Sequence, residues 1–389
     1  MLPRILIGLS LALPLTLPVS AKELPLETLR MADGFKIEVY AEVPNARQMA
    51  QGADGIVYVG TRRLGKVFAV VDGNGDFSAD EVIEIDSGLN LPSGVAYQNG
   101  NLYVGAVSEI LEYPGIDTSL ESPPEPRKII DDLPTDRHHG WKFIDFGPDG
   151  LLYVPVGAPC NICLSADPRY TSILRFDVAQ SQSQSQSKSR LQPEIYATGI
   201  RNTVGFDWHP ETGELWFTDN GRDNLGDDSP SCELNRVTAK GQHFGYPYYH
   251  AEGIVDPEFG TKGKTADQYV EPELLLGPHV APLGMLFYTG KMLPSKLHRQ
   301  ALIAEHGSWN RTPEAGHTGY RVSVAQGQTG GLRHEVLIEG WLEASNEAWG
   351  RPVDLLQLKD GSVLISDDQA GVIYRLTYRE PSSESKPEE

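Results

Sequence analysis

Cysteine is scarce in this chain of 389 residues, with only Cys160, Cys163 and Cys232. A dense disulfide framework of the kind that holds small secreted domains is therefore excluded. In an oxidising compartment the odd count leaves at least one thiol unpaired or bound. The C-N-I-C spacing is open to several readings: a redox pair, half of a metal site, one end of a bridge to Cys232, or simply a local bridge or buried thiols. No His follows Cys163, which removes c-type haem attachment. Positive charge is also in short supply, since 33 Lys and Arg stand against 53 Asp and Glu for a formal charge of −20. Nucleic acid and anionic membrane surfaces reward the opposite balance, so neither is an expected partner. Apolar runs are confined to the amino end, and nothing later approaches the ~20 residues of a membrane span. No window carries a long amphipathic helical repeat. The best helical candidates are short, around Ser295 to Arg299 and Glu343 to Ala348.

Glycine and proline are plentiful at 40 and 28 residues, as a turn-rich all-β chain requires. The amino end reads MLPRILIGLSLALPLTLPVSAKE: Arg4, an apolar stretch, then Val19, Ser20 and Ala21. That is the anatomy of a secretory signal spanning residues 1–21, so the mature chain is expected to be periplasmic or secreted, with no membrane insertion. Over residues 22–379 one pattern recurs: an apolar strand, a turn with Gly, a strand of the Leu-Tyr-Val type, and a strand ending in a polar residue. It appears in MAQGADGIVYVGTRRLGKVFAVV, PSGVAYQNGNLYVGAVSEILEY, and KFIDFGPDGLLYVPVGA with SILRFD. It returns in VGFDWHPETGELWFTDNG with ELNRV, in LGMLFYTGKMLPSKLHRQALIAEHG with YRVSVA, and in VDLLQLKDGSVLISDDQAGVIYRLTY. Six copies at an irregular spacing of about 40 to 80 residues predict a six-bladed β-propeller with insertions. Leu24 to Tyr40 is placed to close the ring by pairing with the last blade. Residues 180–189, rich in Gln and Ser, and the tail 380–389 cannot bury a core and are expected to be disordered.

Chemistry concentrates between Ala197 and Pro247. Arg201 and Asn202 put a guanidinium beside an amide, and Asp219, Asn220, Asp223, Asp227, Asp228 and Glu233 crowd oxygens around Gly221 and Gly226. Hard divalent cations bind oxygen-rich, irregular backbone of this kind, although most acidic runs are no more than solvated surface. A second acidic stretch, Asp72, Asn74, Asp76, Ser78 and Asp80, resembles the start of an EF-hand loop, but Phe77 stands where that loop needs Gly. It reads either as a separate Ca²⁺ site or as a solvated turn. Upstream, His138 and His139 precede a strand, where an imidazole can take a proton from an alcohol near neutral pH.

Taken together, HHGWKFIDFGPDGLLYV, the GIRN box and the acidic loop with its Glu-Leu-Asn strand resemble the soluble PQQ-dependent glucose/sorbosone dehydrogenase family of six-bladed propellers, most closely its sorbosone branch. The resemblance implies pyrroloquinoline quinone (PQQ) and Ca²⁺ as cofactors. It implies that His139 is the general base, with His138 standing where glucose-oxidising members carry an acidic partner. Arg201 matches the arginine beside the quinone C5 oxygen, and Asn202 its cofactor-contacting neighbour. Main-chain oxygens at Gly221 and Arg222, with Asn220 close by, fall at the family's Ca²⁺ position, and Glu233 with the backbone of Phe244 at a second one. Arg351 matches one cofactor-binding arginine, while the second such position falls on Val353. His279 and Arg311 are further candidate cofactor contacts.

The implied activity is oxidation of an aldose or sugar aldehyde by hydride transfer to PQQ, with an external electron acceptor because the chain offers no haem site. Two alternatives share the fold, a Ca²⁺-dependent lactonase or other hydrolase and a non-catalytic binding propeller.

Overall fold

The structure is a computed structural model that describes residues 23–53, 55–179, 191–263 and 265–381. The expected signal segment, the 180–189 insertion and the tail beyond residue 381 lie outside the described residues. The six sequence copies become six four-stranded antiparallel sheets. The first blade is built from Ala46–Gln51, Ile56–Thr61, Lys66–Val71 and Glu81–Ser87, and the second from Gly94–Gln98, Asn101–Gly105, Ile110–Tyr113 and Arg127–Ile130. Asp145–Phe146, Leu152–Val156, Ser172–Phe176 and Glu194–Thr198 make the third. The fourth comprises Phe206–Trp208, Leu215–Asp219, Ser231–Val237 and Leu274–Pro278, and the fifth Pro282–Phe287, Ala301–Glu305, Arg321–Gln326 and Arg333–Glu339. The sixth takes Pro352–Gln357, Val363–Asp367 and Val372–Tyr378, and its outer strand is Phe35–Glu42 from the other end of the chain. That strand pairs antiparallel from Phe35 opposite Tyr378 to Glu42 opposite Val372, which closes the ring and covers an edge that would otherwise invite pairing.

Both faces of each blade meet a neighbour, so the strands read as near-continuous apolar runs rather than as a strict apolar/polar alternation. Side chains on a strand alternate between faces. In the third blade Leu152 and Val154 therefore join the seam with the second blade, whereas Tyr153 joins the seam with the fourth. Each of the six seams has its own buried apolar cluster. Truncating a residue such as Leu152 or Ile365 to Ala would cost about 2–5 kcal/mol.

Polar ties run across the same seams near the ring axis, where first strands pack on the first strands of neighbouring blades. Gln48 of the first blade accepts from the Val95 and Ile144 amides at 3.1 and 2.9 Å. The Asp354 carboxylate of the sixth blade accepts from Met49 N–H at 2.8 Å, and Asp207 of the fourth from Phe287 N–H at 2.7 Å.

One local expectation needs correction, the helix at residues 343–348. Only Ser295–Leu297 forms a short 3₁₀ turn. Residues 343–348 form a tight loop closed by the Leu342–Ala348 bridge, with Asn346 at φ 70°, because so short a segment cannot nucleate a helix without packing support. The Asp72–Asp80 stretch is a turn held by its own carboxylates: Asp72 accepts from the amides of Gly75 and Phe77 at 2.8 and 2.9 Å, and Asp80 from that of Gly73 at 2.8 Å. Among the described residues no helix is long and apolar enough to cross a membrane.

Candidate active site

At the beginnings of the first strands, around the ring axis, lies a cavity of about 410 Å³. Of the residues singled out in the sequence, His139, Arg201, Asn202, Asn220, Gly221, His279 and Arg351 line it. Five blades contribute, so residues more than two hundred positions apart in the chain face one space.

His139 sits in the connection before the first strand of the third blade, at φ 49°, and is 9 % exposed. Its Nδ1–H donates to the Ala158 carbonyl at 3.0 Å, which fixes the tautomer and leaves Nε2 with a free lone pair. Burial, then the charge of Arg201, then the proximity of His138 push its pKa well below the usual histidine value, so the ring is neutral at pH 7. Orientation therefore comes from a backbone carbonyl, whereas His138 packs edge-on at 4.1 Å and supplies no acceptor. The connection depends on Gly157, where an added Cβ would come within 2.6 Å of His139 Cβ and 3.2 Å of the Arg201 carbonyl.

The next residue, Ala158, joins the two candidate groups. It takes the His139 N–H on its carbonyl, and its own N–H donates to the Arg201 carbonyl at 2.8 Å. Arg201 is 4 % exposed. Its Nε donates to Asn161 O at 3.0 Å, Nη1 to Asn220 O at 3.2 Å, and Nη2 to Asn161 Oδ1 and Asp223 Oδ2 at 2.8 and 3.0 Å. A guanidinium has five N–H groups, so one on Nη1 is left over for a ligand. The Asp219 carboxylate receives the backbone N–H groups of Arg201 and Asn202 at 2.8 and 2.6 Å, which sets the GIRN turn. Asn202 keeps its side-chain amide available at the cavity wall.

Asn161, which the sequence reading passed over, is the hub of the Arg201 contacts. It lies between Cys160 and Cys163, which form a disulfide, while Cys232 is a buried free thiol on the cavity wall. Of the open cysteine readings, the local bridge is the one the structure contains.

Three further arginines, Arg47, Arg62 and Arg63, come from the first blade and were also missed. Arg47 is 1 % exposed and pairs with Asp368 of the sixth blade at 2.9 Å, and His306 shares that carboxylate at 2.8 Å. Burial pushes His306 down to about 4, so it too is neutral. Arg351 donates to the carbonyls of His306 and Gly307 at 2.8 and 2.6 Å. A charged residue inside the apolar strand ARQMAQ and the Arg-Arg pair at a turn were the available signals. Thus, among the described residues, five arginines line the cavity of a protein whose net charge is −20, and Asp223 is the one carboxylate that does so.

Comparison with known proteins agrees with this geometry. The family model "Glucose / Sorbosone dehydrogenase" matches residues 121–306, and the model "TrAA12-like" matches residues 254–379. The chain belongs to the glucose/sorbosone dehydrogenase family. It is 28 % identical over 376 residues to an uncharacterized protein of Borreliella burgdorferi, covering 93 % of this chain and 94 % of that one. With a PQQ-dependent sugar dehydrogenase of Hypocrea jecorina it shares 23 % over 364 residues, covering 82 % and 80 %. Two solved structures show the same fold. The calcium structure of a Trichoderma reesei family AA12 enzyme superposes at TM-score 0.76 and 19 % identity, covering 93 % of this chain and 100 % of that one. The holo pyranose dehydrogenase PQQ domain of Coprinopsis cinerea superposes at 0.72 and 18 %, covering 90 % and 97 %.

The cavity of this glucose/sorbosone dehydrogenase family member fits a small planar polyanion such as PQQ. Arg47, Arg201 and Arg351 bring three guanidinium groups to it, and the buried Nε of Arg47 has no hydrogen-bond partner among the described residues. Val353, the position of the family's second arginine, is 2 % exposed in an apolar cluster with Val204 and Leu283, so the first blade supplies the charge instead.

The expected metal residues separate. The carbonyls of Gly221 and Arg222 accept no hydrogen bond from the described residues, as a hard cation would require. By contrast, the Asn220 carbonyl is taken by Arg201, and its amide donates to Asn202 O and Pro282 O at 2.9 and 3.1 Å. The Arg222 guanidinium is buried against Asp256. Glu233 lies opposite Asp219 across the ladder; loss of water raises both carboxyls, and the charge of Asp219 raises Glu233 further. Glu233 and Phe244 are not on the cavity wall, and the Phe244 ring packs on Phe217 at 4.9 Å. No group of three or more His, Cys, Asp or Glu is arranged to hold a metal among the described residues. Arg311 is a further correction. Its guanidinium holds Gly316 O, Ala315 O, Asp228 and Asp227 O, so it pins the acidic loop and does not reach the cavity. His279 remains on the wall, with its Nε2–H on Gly226 O at 2.8 Å.

Proposed function

We propose that this protein is a periplasmic PQQ-dependent dehydrogenase that oxidises an aldose or a sugar aldehyde of the sorbosone type and passes the electrons to an external acceptor. The observation that carries the proposal is that His139 and Arg201 line one cavity and are tied to each other through the single residue Ala158. Neutral His139, anchored at Nδ1, receives the substrate hydroxyl proton at Nε2. Arg201 holds a fixed positive charge, with one free N–H, where negative charge develops, and because its other donors are already engaged it needs no reorganisation to do so. The arginine-lined wall binds and orients an anionic cofactor, and Trp141 and the apolar cluster beside it keep water off that face. PQQ, when bound, supplies the two-electron acceptor, and Ca²⁺ at the Gly221 and Arg222 carbonyls would add Lewis acidity. A lactonase would need carboxylates from several blades at one point, whereas among the described residues Asp223 is the one carboxylate on this cavity wall.

The test is to add PQQ and Ca²⁺ to the purified protein and follow dye reduction with a panel of aldoses and aldehydes. Substrate-dependent dye reduction is expected. Its absence with every substrate, together with no PQQ binding, would sink the proposal.

A further inference from the structure

Arg62 and Arg63 stand side by side on the cavity wall, in the turn between the second and third strands of the first blade. Arg63 is exposed and Arg62 half-buried, whereas Arg47 and Arg201 are 1 % and 4 % exposed. Their backbone is pinned: the Asn45 side-chain oxygen accepts from the N–H groups of Arg62 and Arg63 at 3.0 and 2.6 Å. Neither guanidinium has a carboxylate partner among the described residues, and Arg62 Nε is buried with no partner at all. Instead the Arg62 guanidinium lies 3.6 Å from the centroid of the Trp141 ring. Burial, and then the like charges of Arg47, Arg63 and Arg351, push its pKa down to about 10. Holding a cation short of water and among cations is unfavourable by itself, so the arrangement stores affinity for an anion.

Position tells which anion this is. Trp141, under Arg62, stands edge-on to His139 with ring centroids 6.0 Å apart. A group that meets Arg62 is therefore a neighbour of the base, and what touches the base is the substrate. On the dehydrogenase reading above, we propose that Arg62 and Arg63 form an anion subsite over Trp141, and that the substrate is a sugar carrying a carboxylate or a phosphate rather than a neutral aldose. The guanidinium pair would clamp the anionic group beside Trp141 while the reacting hydroxyl meets His139.

The experiment uses the protein reconstituted with PQQ and Ca²⁺. Glucose, glucuronate and glucose 6-phosphate, with their galacto counterparts, are compared for kcat/KM at low and high salt. Wild type, Arg62→Gln and Arg63→Gln are tested, and PQQ affinity is measured separately by absorbance titration. We expect at least one anionic sugar to exceed its neutral counterpart about tenfold or more, with the advantage shrinking as salt screens it. Each variant lowers that ratio about tenfold, the loss of roughly one charge-assisted contact. Carboxylate and phosphate are separated by which arm shows the preference. Equal or better use of neutral aldoses overturns the inference while leaving the dehydrogenase reading intact. So does PQQ affinity that falls in step with the variants, since the pair would then hold the cofactor. If no sugar is oxidised, the dehydrogenase reading fails, and calorimetry with glucuronate and glucose 6-phosphate decides the subsite. Saturable binding that Arg62→Gln weakens supports it, and binding that is absent or indifferent to Arg62 overturns it.

Discussion

Along the first strand of the sixth blade, Arg351 lines one cavity and Asp354, three residues on, lines another. The same division repeats around the ring. Arg47, His139 and Asn202 line the first space, while Gln48, Asp145 and Asp207 line the second, a pocket of about 220 Å³ with no Lys, Arg or His among the described residues of its wall. The acidic region is satisfied largely from within, although Asp354 Oδ1 is buried without a hydrogen-bond partner among the described residues. Asp354, Asp207 and Asp145 accept backbone N–H groups at 2.8, 2.7 and 2.7 Å, and the first two of these bonds stitch neighbouring blades together. The basic region is not, because its Arg62 and Arg63 lack carboxylates and three of its buried donors are orphans. Polar groups that the protein satisfies by itself serve the fold, and polar groups it leaves unsatisfied await a ligand.

The contrast can be broken most sharply at His139. His139→Gln should lower turnover about 10²- to 10⁴-fold, with melting temperature and PQQ affinity close to wild type. A variant that keeps most of its activity would remove the ring from its role. Arg47 belongs to both functions, since it faces the cavity and also pairs with Asp368. Arg47→Met should therefore weaken PQQ binding and, by stranding a buried carboxylate, destabilise the protein by about 3–5 kcal/mol in denaturant titration. An effect on binding alone would show that Asp368 has other support.

In the acidic region the signature is pH. Burial pushes Asp207 and Asp354 up to about 7 each, against the ordinary value of 3.8. A carboxyl that is raised in the folded state favours folding while protonated, so this contribution is present below about pH 4 and fades as pH rises toward about 7. Asp207→Asn keeps an acceptor for Phe287 N–H but cannot titrate. Its stability should be flatter with pH across that window, with PQQ affinity unchanged. At the smallest scale, reducing the Cys160–Cys163 bridge frees Asn161 and should weaken PQQ binding up to about tenfold through Arg201. An unchanged affinity would make the bridge incidental to the site.

Much of this was legible in the sequence because it is repeated or local. Strands buried on both faces announce themselves as apolar runs between Gly turns, and the six copies of that pattern correspond to the six blades. The closing strand Phe35–Glu42 was visible as a leftover apolar segment. His139, Arg201, Asn202 and Arg351 were legible through motifs whose neighbours in sequence are neighbours in space. Arg47, Arg62 and Arg63 were not, since they reach the cavity only because the first blade closes against the sixth. Arg311 failed for the opposite reason: its surroundings in sequence suggest a clamp, but nearby carbonyls and Asp228 consume its donors. Asn220, expected close to the metal position, lies on the cavity wall with its carbonyl taken by Arg201.

The central claim is that the basic cavity is built for an anionic quinone, and titrating PQQ into the protein tests it most directly. Trp141 and Trp309 on the wall serve as fluorescent reporters. The account predicts saturable one-to-one quenching that weakens with salt and with loss of Arg47 or Arg351. Absence of saturable quenching, or binding indifferent to both arginines, would contradict it.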